Sequence, residues 1–384
     1  MNVFILTDTR YPADDAVTLR TLLVAKLFLE SGHRVTVFSR TEKENGIYEG
    51  IPYRSLRHKG TSLLHRVYDY YFHFEHRFLK ILKDERPDLI VFHTIPTGLL
   101  KKLIRLRKQY GFRLINDCVE WYSKEQTKPT LRSRLAYYTK DRLMRRILPR
   151  QVEIIAISRY IKDYFESTNT PCLYIPSVCD PQKISFQKQA PKDKVRIVYA
   201  GSPGRKDLFE PIINAIKKLS AEERGRLELQ IIGANAAQIA DNAKCTPEDL
   251  NQLSDCIHFL PRMSHTEVLA HLSAATFTIL IRPPHLRYAK AGFPTKVPES
   301  LAAATPVICN LTSDLADFLT DGQNALIASS HETNDVYAAL KRALALRPEE
   351  LDAMYRSSRK TAEERFDYRL FRESLCTFAE KRPL

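Results

Sequence analysis

Asn2-Val-Phe-Ile-Leu-Thr7 is an apolar run, and residues 18–31 place Leu19, Leu22, Leu23 and Leu27 at helical spacing. Gly32 is a stop signal, and Arg34-Val-Thr-Val-Phe-Ser39 is rich in β-branched residues. Strand, helix and strand in that order make a β-α-β unit, which predicts a parallel sheet. The alternation continues outward, with strands expected at 89–92, 113–116, 153–157 and 173–176. Helices are expected at 63–84, 97–109 and 131–150. Ser185-Phe-Gln-Lys-Gln-Ala-Pro-Lys-Asp-Lys194 is polar and carries a proline, so it reads as a linker. The alternation then restarts with strands at 195–200, 227–232, 257–260, 275–281 and 306–310. Helices at 208–220, 266–274, 296–304 and 334–347 separate or follow them, and 351–366 and 368–380 close the chain. Two doubly wound α/β domains follow, at 1–188 and 189–365. Residues 366–384 form a final helix expected to pack back on the first domain. Such sheets bind ligands at the carboxyl ends of their strands, so a cleft between facing domains is the expected binding place.

The bulk properties agree with this frame. A chain of 384 residues suits two domains, and 44% hydrophobic with 27% charged residues is the composition of a globular protein. Disorder, collagen and a disulfide scaffold are excluded; the seven cysteines form no CxxC pair and read as reduced thiols. No apolar run approaches the roughly 20 residues that span a bilayer, and the N-terminus lacks the basic start of a signal peptide. The expected location is cytoplasmic. The net charge of +14 is uneven: residues 1–190 hold 33 Lys and Arg against 20 Asp and Glu, while the remainder is nearly balanced. The first half therefore faces something anionic: nucleic acid, an anionic membrane leaflet or an acidic acceptor. No RNA-binding aromatic motif, zinc module or recognition helix accompanies the charge, so nucleic acid is not an expected partner.

Three stretches carry candidate chemistry. Gly201-Ser-Pro-Gly-Arg-Lys206 follows a strand; its glycines let backbone approach a ligand, and Arg205 and Lys206 add positive charge. It fits a diphosphate cradle, and equally a tight turn with solvated cations; it is neither a P-loop nor GxGxxG. In Gly292-Phe-Pro-Thr-Lys-Val-Pro-Glu-Ser300, Pro294 suits the start of a helix whose first-turn amides and Lys296 would meet an anion. Glu299 there can accept two hydrogen bonds from a ribose diol, or serve only as a favourable first-turn charge. His93 ends a strand, where a functional side chain would protrude, although a lone histidine also fits a structural role. Arg20 and Asp14-Asp15 follow the first strand and would also face the cleft, and Asp117, Glu120, Trp121 and Glu125 cluster after another strand end; paired carboxylates there could do acid–base work or bind a metal, although solvated loop charges are the better reading. No metal-ligand spacing is present. Arg132, Arg134, Lys140, Arg142, Arg145, Arg146 and Arg150 interleave with Leu131, Leu135, Tyr138 and other apolar residues. That pattern reads as a basic amphipathic helix for an anionic membrane surface, or as an ordinary helix with a solvated face.

With these residues in view, the chain resembles a family-4 glycosyltransferase of the GT-B fold over nearly its whole length. Glu299-Ser-Leu-Ala-Ala-Ala-Thr-Pro-Val307 resembles the second half of the family's paired-glutamate donor motif, and Asp321-Gly-Gln-Asn324 its later turn. Gly201 and Lys206 match its phosphate-binding glycine and lysine. His93 matches its histidine near the reacting sugar, and Gly32-His-Arg-Val-Thr-Val37 one of its early landmarks. Ile155-Ala-Ile-Ser158 and Ile175-Pro-Ser-Val-Cys-Asp180 resemble two more. The chain departs from the family at Ala291, where the first glutamate of the pair would stand. It departs also at Ser202 in place of an arginine, at Ala304 in place of a glycine, and at Tyr11-Pro-Ala-Asp-Asp-Ala16 in place of a glycine-rich loop.

The resemblance implies a retaining, metal-independent transferase without a prosthetic group, using a nucleotide-sugar donor, most commonly a UDP-sugar. His93, Arg205 and Lys206 would act at the reacting centre. Gly201, Ser202, Phe293, Pro294, Thr295, Lys296 and Glu299 would hold the nucleotide. The acceptor would be a glycan or lipid-diphosphate-linked glycan at the inner membrane face, as in bacterial surface-polysaccharide assembly. Ala291 supports a second expectation, an inactive GT-B scaffold in a glycan-assembly complex.

Overall fold

The computed structural model describes residues 1–13, 15–57, 73–126, 130–186, 188 and 194–381. Asp14, residues 63–72 of the helix expected at 63–84, the Arg132 side chain and residues 187 and 189–193 of the expected linker lie outside what it describes. The chain forms two compact units. The first comprises residues 1–121, 130–176 and 368–384, and the second 122–129 and 177–367. The division therefore falls between Pro176 and Ser177, ahead of the polar stretch at 185–194.

The first unit is built on eight strands: β1 (Asn2–Leu6), β2 (Arg34–Ser39), β3 (Gly46–Tyr48), β4 (Ile51–Ser55), β5 (Leu89–Phe92), β6 (Arg113–Cys118), β7 (Glu153–Ala156) and β8 (Cys172–Tyr174). Their order is β3-β4-β2-β1-β5-β6-β7-β8, parallel except for the β3–β4 pair. β1, β5 and the middle of β6 are buried, as strands covered on both faces must be, which is why they read as unbroken apolar runs. The β3–β4 hairpin is absent from the sequence expectations. Glu49 and Gly50 turn it with φ of 49° and 82°, the two-residue hairpin geometry, but Ile47 is exposed and no alternation marks so short a pair. Asp15 caps the helix Ala16–Leu29, its Oδ1 accepting from the Thr18 amide at 2.8 Å. A further helix, Arg159–Ser167, is capped by Ser158 in the same way. The C-terminal helix Arg372–Glu380 belongs to this unit. Tyr368 donates to Glu30, and Arg113 donates to the carbonyls of Phe378 and Ala379.

The second unit has six parallel strands: β9 (Val195–Ala200), β10 (Leu227–Ile232), β11 (Ile257–Leu260), β12 (Phe277–Leu280), β13 (Val307–Asn310) and β14 (Ala325–Ala328). Their order is β11-β10-β9-β12-β13-β14. A core of Ile197, Tyr199, Ile213, Leu229, Ile231, Phe277 and Ile279 joins this sheet to the helices Glu210–Lys218 and Thr333–Ala345. β14 and four short helices (Ala221–Gly225, Ala236–Ala243, Pro247–Asn251 and Arg287–Ala291) are additions to the sequence reading. The last of these lies between the strand expected at 275–281 and the helix expected at 296–304. Each helix is too brief to show a period, and β14 is only Ala-Leu-Ile-Ala.

Candidate active site

In each sheet the chain order reverses beside the first strand of the unit. β2 flanks β1 on one side and β5 on the other; β10 flanks β9 on one side and β12 on the other. The crevice outside the carboxyl ends at such a reversal is where an open α/β sheet binds ligands.

In the second unit that crevice is bounded by the turn after β9 and the chain after β12. Gly201 has φ of +116°, a conformation that disfavours any side chain, and a Cβ there would lie 3.4 Å from Lys296 Cε. The turn is clasped from several sides. Asn242 Nδ2 donates to the carbonyls of Gly204 and Asp207, and its Oδ1 accepts from the Phe209 amide. Tyr288 Oη donates to the Lys206 carbonyl at 2.9 Å.

Asp207 is the hub. It is only 3% exposed. Its Oδ2 accepts from Lys296 Nζ and from Tyr199 Oη, both at 2.7 Å, and its Oδ1 accepts from Arg282 Nε at 2.6 Å. Burial would push its carboxyl up, but the Lys296 ammonium and Arg282 guanidinium outweigh burial and hold it well below the usual carboxylate range. Lys296 Nζ also sits 3.7 Å from the Tyr199 ring centroid. Asn310 fixes the Arg282 backbone, accepting from its amide and donating to its carbonyl. Arg282 has further donors, its two terminal amines, and among the described residues these have no partner. One carboxylate against two cations leaves the cluster with a surplus positive charge.

The other expected nucleotide contacts fall around this hub. Ser202 and Arg205 are exposed, and Lys206 is half-buried with Nζ 5.3 Å from the Tyr122 ring centroid. The Phe293 ring belongs to the core, edge-on to Phe318 and Phe366, so only its backbone is available to a ligand. Pro294 has no amide hydrogen, and the Val297 amide is already bonded to the Pro294 carbonyl at 3.2 Å. The expectation of a whole turn of free amides is thereby corrected: Thr295 and Lys296 are the first two amides after Pro294 without an acceptor among the described residues. Glu299 Oε1 lies 2.7 Å from His265 Nε2. Ala291, at the position of the missing glutamate, is fully buried.

In the first unit His93 follows β5, half-buried, its amide donating to the Leu6 carbonyl. Its Nδ1 lies 3.2 Å from the Asp117 carbonyl oxygen. A carbonyl can only accept, so Nδ1 carries the hydrogen and Nε2 of the neutral ring presents a lone pair. Asp8 follows β1, its amide bonded to the Thr94 carbonyl. Burial pushes its carboxyl up, against the pull of Arg40, Lys140 and His93. Arg20 has a different use. It donates from Nε and Nη2 to Asp117 and from Nη1 and Nη2 to the carbonyls of Pro176 and Ile175, a buried structural tie. Trp121 Nε1 donates to Asp141, which also accepts from Arg145. Among the described residues no three His, Cys, Asp or Glu gather as a metal site, and no helix is long and apolar enough to cross a membrane.

Residues 17–183 match the family described as Glycosyltransferase Family 4, and residues 180–361 match Glycosyl transferases group 1. The chain is a family-4-like glycosyltransferase. No curated protein matches it in sequence. Solved structures share the transferase's fold at low identity. Sucrose-phosphate synthase from Thermosynechococcus elongatus is 16% identical with a TM-score of 0.76, covering 98% of each chain. Anabaena HepE in complex with UDP-glucose is 12% identical with a TM-score of 0.71, covering 98% of this chain and 99% of HepE. WaaG, a glycosyltransferase involved in lipopolysaccharide biosynthesis, is 16% identical with a TM-score of 0.70, covering 99% of this chain and all of WaaG. The glycosyltransferase is thus a GT-B protein of two Rossmann-like units. Asp207, Arg282, His265 and Tyr288 are the site residues that sequence reading missed. The one signal for the first was its position directly after Lys206.

Proposed function

We propose that this glycosyltransferase moves a sugar from a nucleoside-diphosphate sugar to a glycan or lipid-diphosphate-linked acceptor, with retention of configuration. The observation that carries the reading is the Arg282–Asp207–Lys296 cluster beside Gly201. It is a surplus positive charge, held rigid before any ligand arrives, at the place where an α/β sheet binds one. Preorganised cations stabilise the charge that grows on a departing diphosphate more effectively than solvent does. The bond from the anomeric carbon to the diphosphate oxygen breaks, and that oxygen keeps the electron pair. The acceptor hydroxyl oxygen bonds to the anomeric carbon, and its proton passes to the leaving phosphate. Arg205 and Lys206 add charge from the turn, the amides of Thr295 and Lys296 bind phosphate oxygens, and Glu299 takes the ribose. His93 accepts a hydrogen bond from a substrate hydroxyl at its open Nε2. The chemistry needs no metal. HepE crystallises with UDP and with UDP-glucose, which supports a UDP-sugar as donor. The likeness to WaaG supports a place in bacterial surface-polysaccharide assembly.

The partner of the first unit is the anionic inner face of the cytoplasmic membrane. Helix Leu131–Arg142 turns Leu131, Leu135 and Tyr138 to solvent, 75%, 59% and 58% exposed, along one stripe. Residues 131–150 contain seven Lys and Arg against one Asp. Apolar side chains flanked by arginines suit an acidic lipid surface, and would present the enzyme to a lipid-linked acceptor.

The test is thermal shift against the diphosphates of uridine, guanosine, adenosine and cytidine and their sugar conjugates. A ligand at ~100 times its Kd adds about 2.7 kcal/mol of stability. One nucleotide should stabilise the wild type and lose its effect in Lys296→Ala. If none stabilises a folded protein, the transferase reading falls. The buried Ala291 then favours the second reading, a GT-B scaffold within a glycan-assembly complex.

A further inference from the structure

His265 opens the helix His265–Ala274, which begins after β11, and Glu299 lies in the helix Lys296–Ala302, which begins after β12. Both helix starts therefore lie at the ligand-binding edge of the second sheet. The start of the first is fixed twice over. Ser264 Oγ accepts from the Glu267 amide, and Glu267 Oε2 accepts from the Ser264 amide. That box holds the His265 backbone in place. The imidazole then meets Glu299 Oε1 at 2.7 Å. A carboxylate only accepts, so Nε2 carries the hydrogen and His265 is the donor. Glu299 Oε2 has no partner among the described residues. One oxygen of the carboxylate is anchored and the other is open.

A glutamate has three side-chain torsions, and an unanchored one loses that freedom when it binds a diol. We propose that His265 is a positioning residue for nucleoside recognition. It holds the Glu299 carboxylate in the rotamer that accepts from both hydroxyls of a ribose, and so sets the preference for ribonucleotides over 2′-deoxyribonucleotides. This rests on the assignment of Glu299 to the ribose made above.

The experiment is calorimetric titration of the full chain with the four ribonucleoside diphosphates and their 2′-deoxy counterparts. The variants are His265→Ala, His265→Gln and Glu299→Gln. In the wild type the ribonucleotide that binds should exceed its deoxy counterpart at least tenfold. His265→Ala should lose most of that ratio while binding the deoxynucleotide as the wild type does. His265→Gln restores a side-chain N–H and should recover part of the ratio. Equal weakening of both ligands in His265→Ala would mean a merely structural role and would overturn the proposal, as would an unchanged ratio. Glu299→Gln separates the two claims. If it leaves the ratio intact, the ribose assignment itself is wrong; if it removes the ratio and His265→Ala does not, only the role of His265 is wrong. Melting temperatures of each variant show whether it is folded.

Discussion

Each unit of this glycosyltransferase buries an arginine against an aspartate on the carboxyl-end side of its sheet, and the two ties differ in what they leave over. Arg20 in the first unit has four of its five N–H donors taken: Asp117 accepts from Nε and Nη2, and the carbonyls of Ile175 and Pro176 accept from Nη2 and Nη1. Charge cancels, and a single Nη1 hydrogen is left over. Asp207 in the second unit receives two cations instead of one, and Arg282 offers only its Nε. The same pairing chemistry gives a closed structural tie in one place and an open anion site in the other. The number of donors without a protein partner, rather than burial or charge alone, separates the two. A buried ion pair by itself says little about function.

The most severe way to break the contrast is Asp207→Asn. It leaves two cations facing each other without their carboxylate, and losing one partner of a buried pair costs about 3–5 kcal/mol. Denaturant unfolding of the second unit should show a loss of that size. The acid limb follows with a definite sign. Because the Asp207 carboxyl is held below its ordinary range, its contribution is complete above about pH 4 and falls away as pH drops through the lower folded value. Asp207→Asn should therefore flatten the stability profile below pH 4. If it is no less stable than the wild type at pH 7, Asp207 is not the hub.

Arg20→Met tests the other side. It strands Asp117 in the first unit, and a loss of about 3 kcal/mol is expected. Nucleotide affinity, measured where the variant is folded, should not change. A folded Arg20→Met that no longer binds nucleotide would show that the two ties are not distinct in use. Arg282→Gln comes next in size. On the proposed reading its terminal amines would carry charge-assisted bonds to the diphosphate, so affinity should fall on the order of tenfold, with less effect of salt than in the wild type. An unchanged affinity would leave the diphosphate to Arg205 and Lys206.

These expectations also show what the chain discloses locally. Parallel strands buried on both faces are visible as apolar runs, and both sheets were readable from them apart from β14 and the β3–β4 hairpin. Gly201, Lys296 and Glu299 could be singled out as candidates because turn and helix-start chemistry is local. Arg282 and Asp207 are 75 residues apart and meet only because β9 and β12 are neighbours. No period or spacing within either segment encodes that meeting. The meeting of His265 with Glu299, 34 residues on, is hidden for the same reason. Phe293 shows the converse: it lies inside a candidate stretch, yet its side chain serves the core.

The smallest effect belongs to the surface of the first unit, and it sharpens the contrast rather than breaking it. If the first unit has no open buried cation, its excess charge must act from outside, through exposed side chains. Arg145 is a poor probe of this, because it is committed to Asp141 and lies 5.0 Å from the Trp121 ring centroid. Arg134, Arg142 and Arg146 are exposed on the same helical stretch. Each basic residue near an acidic leaflet contributes about 1 kcal/mol. Reversing these three to glutamate should abolish sedimentation with phosphatidylglycerol vesicles, with nucleotide affinity and melting temperature intact. Leu135→Ser should weaken vesicle binding at high salt as well as low, since burial of an apolar side chain is not screened. A protein that binds neutral and acidic vesicles alike, or neither, would show that the charge on this unit serves another anion.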